Sequence, residues 1–246
     1  ATMADVQDFF YMYYTPSNCI LVVAGNVTTD QVKSLSEKWF GPIPSGKPVG
    51  RRLPSEPKQT EKRTSHIEAN VPANALYKAY HAPGRFHRDY YVSDLLSDIL
   101  SRGQSSRLYH ELVKKKEIFT SISSFVLGTL DPGLLIVNGR VKDGISLEKA
   151  EEEVDHTIRQ LMEGEASDIE MEKVKNQAHS SLEFGEVEVM NRAMNLAFAK
   201  LSGDANLVNR EIEAISAVTK QDIKRLANEI FLPQNSSVLY YHATGK

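Results

Sequence analysis

Ser101-Arg102-Gly103-Gln104-Ser105-Ser106-Arg107 is the stretch of this chain best suited to holding a ligand. Small residues around a glycine leave backbone amides free near a helix start, where carboxylates and carbonyls are bound, and two cations flank them. Arg102, Gly103, Gln104, Ser105, Ser106 and Arg107 are therefore the candidate substrate-binding residues, for a peptide carboxylate or carbonyl. The same spacing has a plainer reading, in which Gly103 only permits a tight interhelical turn and Arg107 pairs with Glu111 at i,i+4. Spacing alone favours that plainer reading.

Other chemistry is hard to find. Seven histidines stand at 66, 81, 87, 110, 156, 179 and 242. None has a second histidine at the helical spacing that would put two imidazoles on one metal. His110 beside Glu111, and His179 with Glu183, come nearest. The histidines are expected to be surface or satisfied structural groups, with no metal and no cofactor held by this chain. A G-x-S-x-G elbow, a G-x-G-x-x-G turn and a P-loop are all missing, so no catalytic residue is assigned. The lone Cys19 lies in an apolar run and is expected to be a buried, inert thiol.

Composition narrows the class further. The 246 residues are 41% apolar and 25% charged, as in ordinary globular domains, and could form one or two of them. A net charge of −3 gives no basic excess for nucleic acid. No apolar run approaches the ~20 residues of a membrane span. The opening ATMADVQDFF has neither the basic nor the apolar region of a secretory signal. A soluble protein, cytoplasmic or periplasmic, is expected.

The elements that must position the loop can be read from periodicity. Thr28 with Gln31 forms a capping box opening a helix to about Phe40, which Gly41-Pro42 ends. Half of the ten prolines fall between Pro42 and Pro57, marking a linker. Beyond it, Thr64–Asn70 and Leu76–His81 alternate as strands, joined by a hairpin turn or bulge at 71–74. Helices are expected from about Asp89 to Leu100 and from Ser105 or Ser106 to Lys116, then strands Phe119–Leu127 and Leu134–Val141. The next helix has Leu147, Ala150, Val154, Ile158 and Leu161 on one face and an acidic run, Glu148 to Asp155, read as solvated. Ser167 with Glu170 caps a long helix running towards Leu201 with a kink at Gly185, and two shorter helices and a strand complete the chain. Hairpins and clustered helices predict an α+β fold, a two-layer antiparallel sheet with helices on one face.

The chain also repeats itself. Thr2, Asp5, Val6, Pro16 and Asn18 recur, without a gap, as Thr219, Asp222, Ile223, Pro233 and Asn235. Each copy reads as a capped helix, a Pro-x-Asn turn and a strand, Cys19–Ala24 in the first and Ser237–Tyr241 in the second. Three parts are expected: residues 1–46 as the tail of a preceding homologous domain, 47–62 as linker, and 63–246 as a complete second domain.

YHAPGRFHRDYYVSDLLSDILSRGQSSRLYHELVKKKEIFTSISSF, from Tyr80 to Phe125, closely resembles the second homologous domain of the pitrilysin/insulinase zinc peptidases, which include the mitochondrial processing peptidases. SDIEMEKVKNQ, NRAMNLAFAKLSGD and YTPSNCILVVAGNVTTDQVKSLSEKWFGPIP fit as well. The resemblance implies a non-zinc domain that binds and encloses a peptide or protein substrate, inactive alone. It places zinc in a homologous domain upstream of Ala1, or in a zinc-bearing partner subunit. It also gives a non-catalytic scaffold subunit as the alternative function. Separately, the Cys19–Ala24 strand, apolar on both faces and short of sheet neighbours, is expected to pair with a second copy of the chain, as a homodimer, or to dock on the second domain. An Arg and Tyr pair that many members carry near Phe119–Leu130 is missing from FTSISSFVLGTL. The family's glycine-rich loop is reduced here to the single Gly103.

Overall fold

The computed structural model describes all residues except 48, 51–53, 55 and 246, so part of the expected linker lies outside the described residues. The chain forms two compact units, Ala1–Pro57 with Ser181–Glu211, and Lys58–Ser180 with Ile212–Lys246.

The first unit contains α1 (Met3–Tyr13) and α2 (Thr29–Phe40). Both start with the expected capping boxes: Asp5 N donates to Thr2 Oγ1 while Thr2 N donates to Asp5, and Thr28 and Gln31 do the same. Neither helix buries a residue. Cys19–Ala24 is not a strand and Cys19 is exposed, which corrects two expectations. An extended run apolar on both faces needs hydrogen-bonded neighbours on each side to become sheet, and no strand among the described residues pairs with it.

The second unit is built on β1 (Arg63–Ala69), β2 (Ala75–Ala82), β3 (Phe119–Leu127), β4 (Gly133–Val141) and β5 (Ser236–Ala243), ordered β1-β5-β2-β4-β3. All neighbouring pairs are antiparallel except β1 with β5, which is parallel. The expected β1–β2 hairpin does not form, because β5 inserts between the two strands. Asn74 stabilises the separation: its side-chain oxygen accepts from Ala243 N at 2.8 Å and its carbonyl from Val141 N at 2.9 Å.

One face of the sheet is covered by helices. α3 (Tyr90–Ser101) packs on β3, and α4 (Leu147–Glu163) and α8 (Lys220–Ile230) pack on β2. Their apolar stripes do this: Leu95, Leu96 and Ile99; Ala150, Val154 and Ile158; Ile223, Leu226 and Ile230 are all buried. Each buried Leu, Ile or Val contributes about 1.5–3 kcal/mol relative to leaving it in water. The helix expected to start at Ser105 or Ser106 begins at Arg107, with His110 N donating to the Ser106 carbonyl at 2.9 Å, and passes into a π-helical segment at Tyr109–Lys115. The long helix is broken, not kinked, into α5 (Asp168–Gly185) and α6 (Val189–Leu201), as suits a glycine, the poorest helix former after proline. α7 (Glu211–Ala217) precedes α8.

The acidic run of α4 is not wholly solvated. Lys78, only 2% exposed on the helix-facing side of β2, places its ammonium 2.7 Å from Glu151 Oε1 and 2.5 Å from Asp155 Oδ1. Lys62 Nζ and the Tyr240 hydroxyl also donate to Glu151. Burial pushes the Glu151 carboxyl up, but these three donors outweigh it and hold it at about 2. A lysine in a central strand is satisfied only because α4 supplies two carboxylates.

Candidate functional site

The loop after α3 is shaped by its own small residues and by α5. Gly103 takes φ +83°, the left-handed region that favours glycine, and its carbonyl accepts from Ser106 N at 3.1 Å and Ser106 Oγ at 2.6 Å. Ser101 Oγ donates to the Ser124 carbonyl and accepts from Ser124 N, fixing the end of α3 to β3. Arg102 pairs with Asp98 at 2.8 Å; burial pushes the Asp98 carboxyl up and this arginine partly offsets it.

Arg107 does not pair with Glu111. Its Nε and Nη2 make a two-pronged bond to Glu170 at 2.7 and 2.9 Å, and Nη2 also donates to the Glu165 carbonyl. Burial pushes the Glu170 carboxyl up, and Arg107 with the Ser167 amide overcome this and hold it at about 2. The same Glu170 completes the capping box expected with Ser167. Glu111 instead accepts from Lys115 at 2.7 Å. Lys173, also on α5, reaches the Arg102 carbonyl at 3.4 Å and Ser105 Oγ at 3.2 Å. The loop is thus fastened at both shoulders, and Gly103, Gln104 and Ser105 form its exposed tip.

A second candidate was not found from sequence. The face of the sheet away from the helices is open, and a groove of about 370 Å³ crosses it. Tyr77, Ser121, Ser123, Asn138, Arg140 and Tyr241 line it, closed at one end by Val71, Pro72 and Ala73. Register explains the assembly: Ala75 faces both Tyr241 and Arg140, Tyr77 faces Asn138, and Ser121 faces Arg140. Ser123 Oγ donates to Asn138 Oδ1 at 2.5 Å. Exposed Ile67, Tyr77, Phe125 and Leu127 add apolar surface to this face. Strand alternation marked these residues as facing one way, but only the inserted β5 brings Tyr241 onto the groove, across Ala75 from Arg140. None of residues 101–107 lines the groove.

The residues do not fit a zinc site. Among the described residues, no three His, Cys, Asp or Glu side chains come together to hold a metal. Six of the histidines are engaged locally: His66 with His242 at 3.1 Å, His87 Nδ1 accepting from Asp89 N at 3.1 Å, His110 with Glu111 at 3.1 Å, His156 with Gln160 and His179 with Ser216. No helix among the described residues is long and apolar enough to cross a membrane.

Comparison with known proteins agrees with this arrangement. The chain is 27% identical to the zinc protease PqqE of Helicobacter pylori, over 97% of this chain and 54% of the relative. It is also 27% identical to the uncharacterized zinc protease YmxG of Bacillus subtilis, over 92% of this chain and 54% of that protein. The crystal structure of a protease from Helicobacter pylori superposes with a TM-score of 0.89 at 25% identity, covering 98% of this chain and 59% of that one. The chain therefore spans about half the length of the curated relatives it matches. The profile described as the peptidase M16 inactive domain matches residues 1–178. With that match over most of its length, the chain belongs to the family described as the peptidase M16 inactive domain.

Proposed function

We propose that this chain is the peptide-binding and enclosing portion of a zinc metallopeptidase whose zinc is supplied by an upstream homologous domain or by a partner subunit. The open sheet face carries this reading. An antiparallel sheet covered on one side normally presents a polar opposite face to water. Here that face has exposed Ile67, Tyr77, Phe125 and Leu127 around a polar-lined groove, a surface suited to an extended peptide. The exposed loop tip, Gly103, Gln104 and Ser105, is a second contact for substrate, while Arg102, Ser106 and Arg107 hold it in shape. We also propose the division into 1–46, 47–62 and 63–246, which the repeated Thr2 and Thr219 capping boxes support.

The chemistry of the chain's own residues is then binding and exclusion of water. The hydrolytic step belongs to the zinc-bearing part. The test is to assay the 246-residue chain for peptide binding by fluorescence polarisation, for peptidase activity and for metal content. Binding without cleavage, and no tightly held zinc, is expected. About one tightly bound zinc per chain, with chelator-sensitive cleavage, would overturn the reading.

A further inference from the structure

The open face of the sheet carries charge of one sign. Strand alternation and register place Arg63 of β1, His81 of β2 and Arg140 of β4 on that face, and no Asp or Glu of any of the five strands. Glu68, the acidic residue of β1, falls at the opposite alternation, paired with His242. This basic face stands in a chain whose net charge is −3. Glu151 and Asp155 lie on the helix side, where they neutralise Lys78.

Arg140 is the group that this asymmetry leaves available. It is exposed, it lines the groove, and among the described residues its guanidinium takes part in no ion pair or hydrogen bond. Arg107 and Arg225, by contrast, are committed to carboxylates at 2.7 Å. A guanidinium offers a planar fork of donors that matches a carboxylate, and the rings of Tyr77 and Tyr241 in the same groove offer apolar surface to the rest of a bound segment. The hydroxyl and amide of Ser123 and Asn138, which share the groove with it, suit a peptide backbone.

Resting on the peptide-binding reading above, we infer that the groove selects extended peptide segments bearing Asp or Glu side chains, with Arg140 receiving the carboxylate and Arg63 adding to the field. Charge complementarity of this kind sets partner preference and on-rate more than total affinity.

The experiment titrates the 246-residue chain into short fluorescein-labelled peptides, acetylated and amidated at their ends, alike in apolar residues and differing in Glu, Gln or Lys at the variable positions. The Glu peptide should bind tightest and the Lys peptide weakest, with the difference shrinking as salt rises. Arg140→Gln should weaken the Glu peptide by roughly two- to fivefold, as for one partly exposed ion pair, and leave the Gln peptide unchanged. Arg140→Lys should keep part of the preference. Equal binding of Glu and Gln peptides overturns the inference and leaves peptide binding standing. A Glu preference that survives Arg140→Gln combined with Arg63→Gln also overturns it. Binding of none of the peptides overturns the peptide-binding reading itself, and the inference with it. If Arg140→Gln does not fold, the charge series and its salt dependence in the unaltered chain decide alone.

Discussion

Replacing Glu151 with Gln removes one carboxylate from the buried network while keeping its shape. In the folded chain the Glu151 carboxyl is held at about 2, against 4.5 for an ordinary glutamate. A folded-state value below the unfolded one stabilises the fold at pH values above 4.5, and the contribution is lost as pH falls towards 2. At about 1.36 kcal/mol per unit, the shift is worth about 3 kcal/mol at pH 7 and roughly half of that at pH ~3. The loss at pH 7 also matches the roughly 3–5 kcal/mol found when one partner of a buried pair is removed. Urea unfolding followed by far-ultraviolet circular dichroism should therefore show Glu151→Gln less stable by about 3 kcal/mol at pH 7, with about half of that difference gone at pH ~3. Changing Lys78→Met, Glu151→Leu and Tyr240→Phe together should restore much of the loss, since the buried hydroxyl that donates to Glu151 is removed with the charges and a packed apolar cluster needs no compensation. A deficit of equal size at both pH values would refute the argument, because it would then come from packing rather than charge.

Arg107→Ala should lower stability by about 2 kcal/mol in the same assay, because it breaks a two-pronged bond to a partly buried carboxylate, and this deficit too should shrink as pH falls below 4.5. Gly103→Val should lower the melting temperature, since a β-branched residue is strained at φ +83°, whereas Gln104→Ala at the exposed tip should leave it unchanged and alter only peptide affinity. Thr219→Ala should cost about 1 kcal/mol through loss of the α8 cap, while Thr2→Ala, capping a helix that buries nothing, should not move the main unfolding transition. The exposed Phe9, Phe10 and Phe40 and the unpaired Cys19–Ala24 run should drive self-association, seen by light scattering across a dilution series; a strictly monomeric species at all concentrations would contradict it.

Local devices were legible because they depend on residues within one turn of each other. The capping boxes at Thr2, Thr28, Ser167 and Thr219, the buried stripes of α3, α4 and α8, and the alternation of β2 and β4 all appear where the sequence places them. The loop at 101–107 was also legible as a turn around Gly103. Its anchor was not, because Glu170 approaches Arg107 only once α5 is docked.

The repeat separates the two kinds of information most directly. Asn18 donates its side-chain amide to the Tyr13 carbonyl at 2.9 Å, and Asn235 donates in the same way to the Ile230 carbonyl at 2.8 Å. Caps, helices and Pro-x-Asn turns are alike in the two copies, because short-range geometry determines them. Burial and strand pairing differ. Phe9 is 57% exposed where its counterpart Leu226 is 2% exposed, and Cys19–Ala24 pairs with no strand among the described residues where Ser236–Ala243 becomes an interior strand between β1 and β2. Strand formation and burial require partners distant in sequence. That requirement is why tertiary structure alone decided the insertion of β5, the neutralisation of Lys78 and the placing of Arg140 and Tyr241 on either side of Ala75.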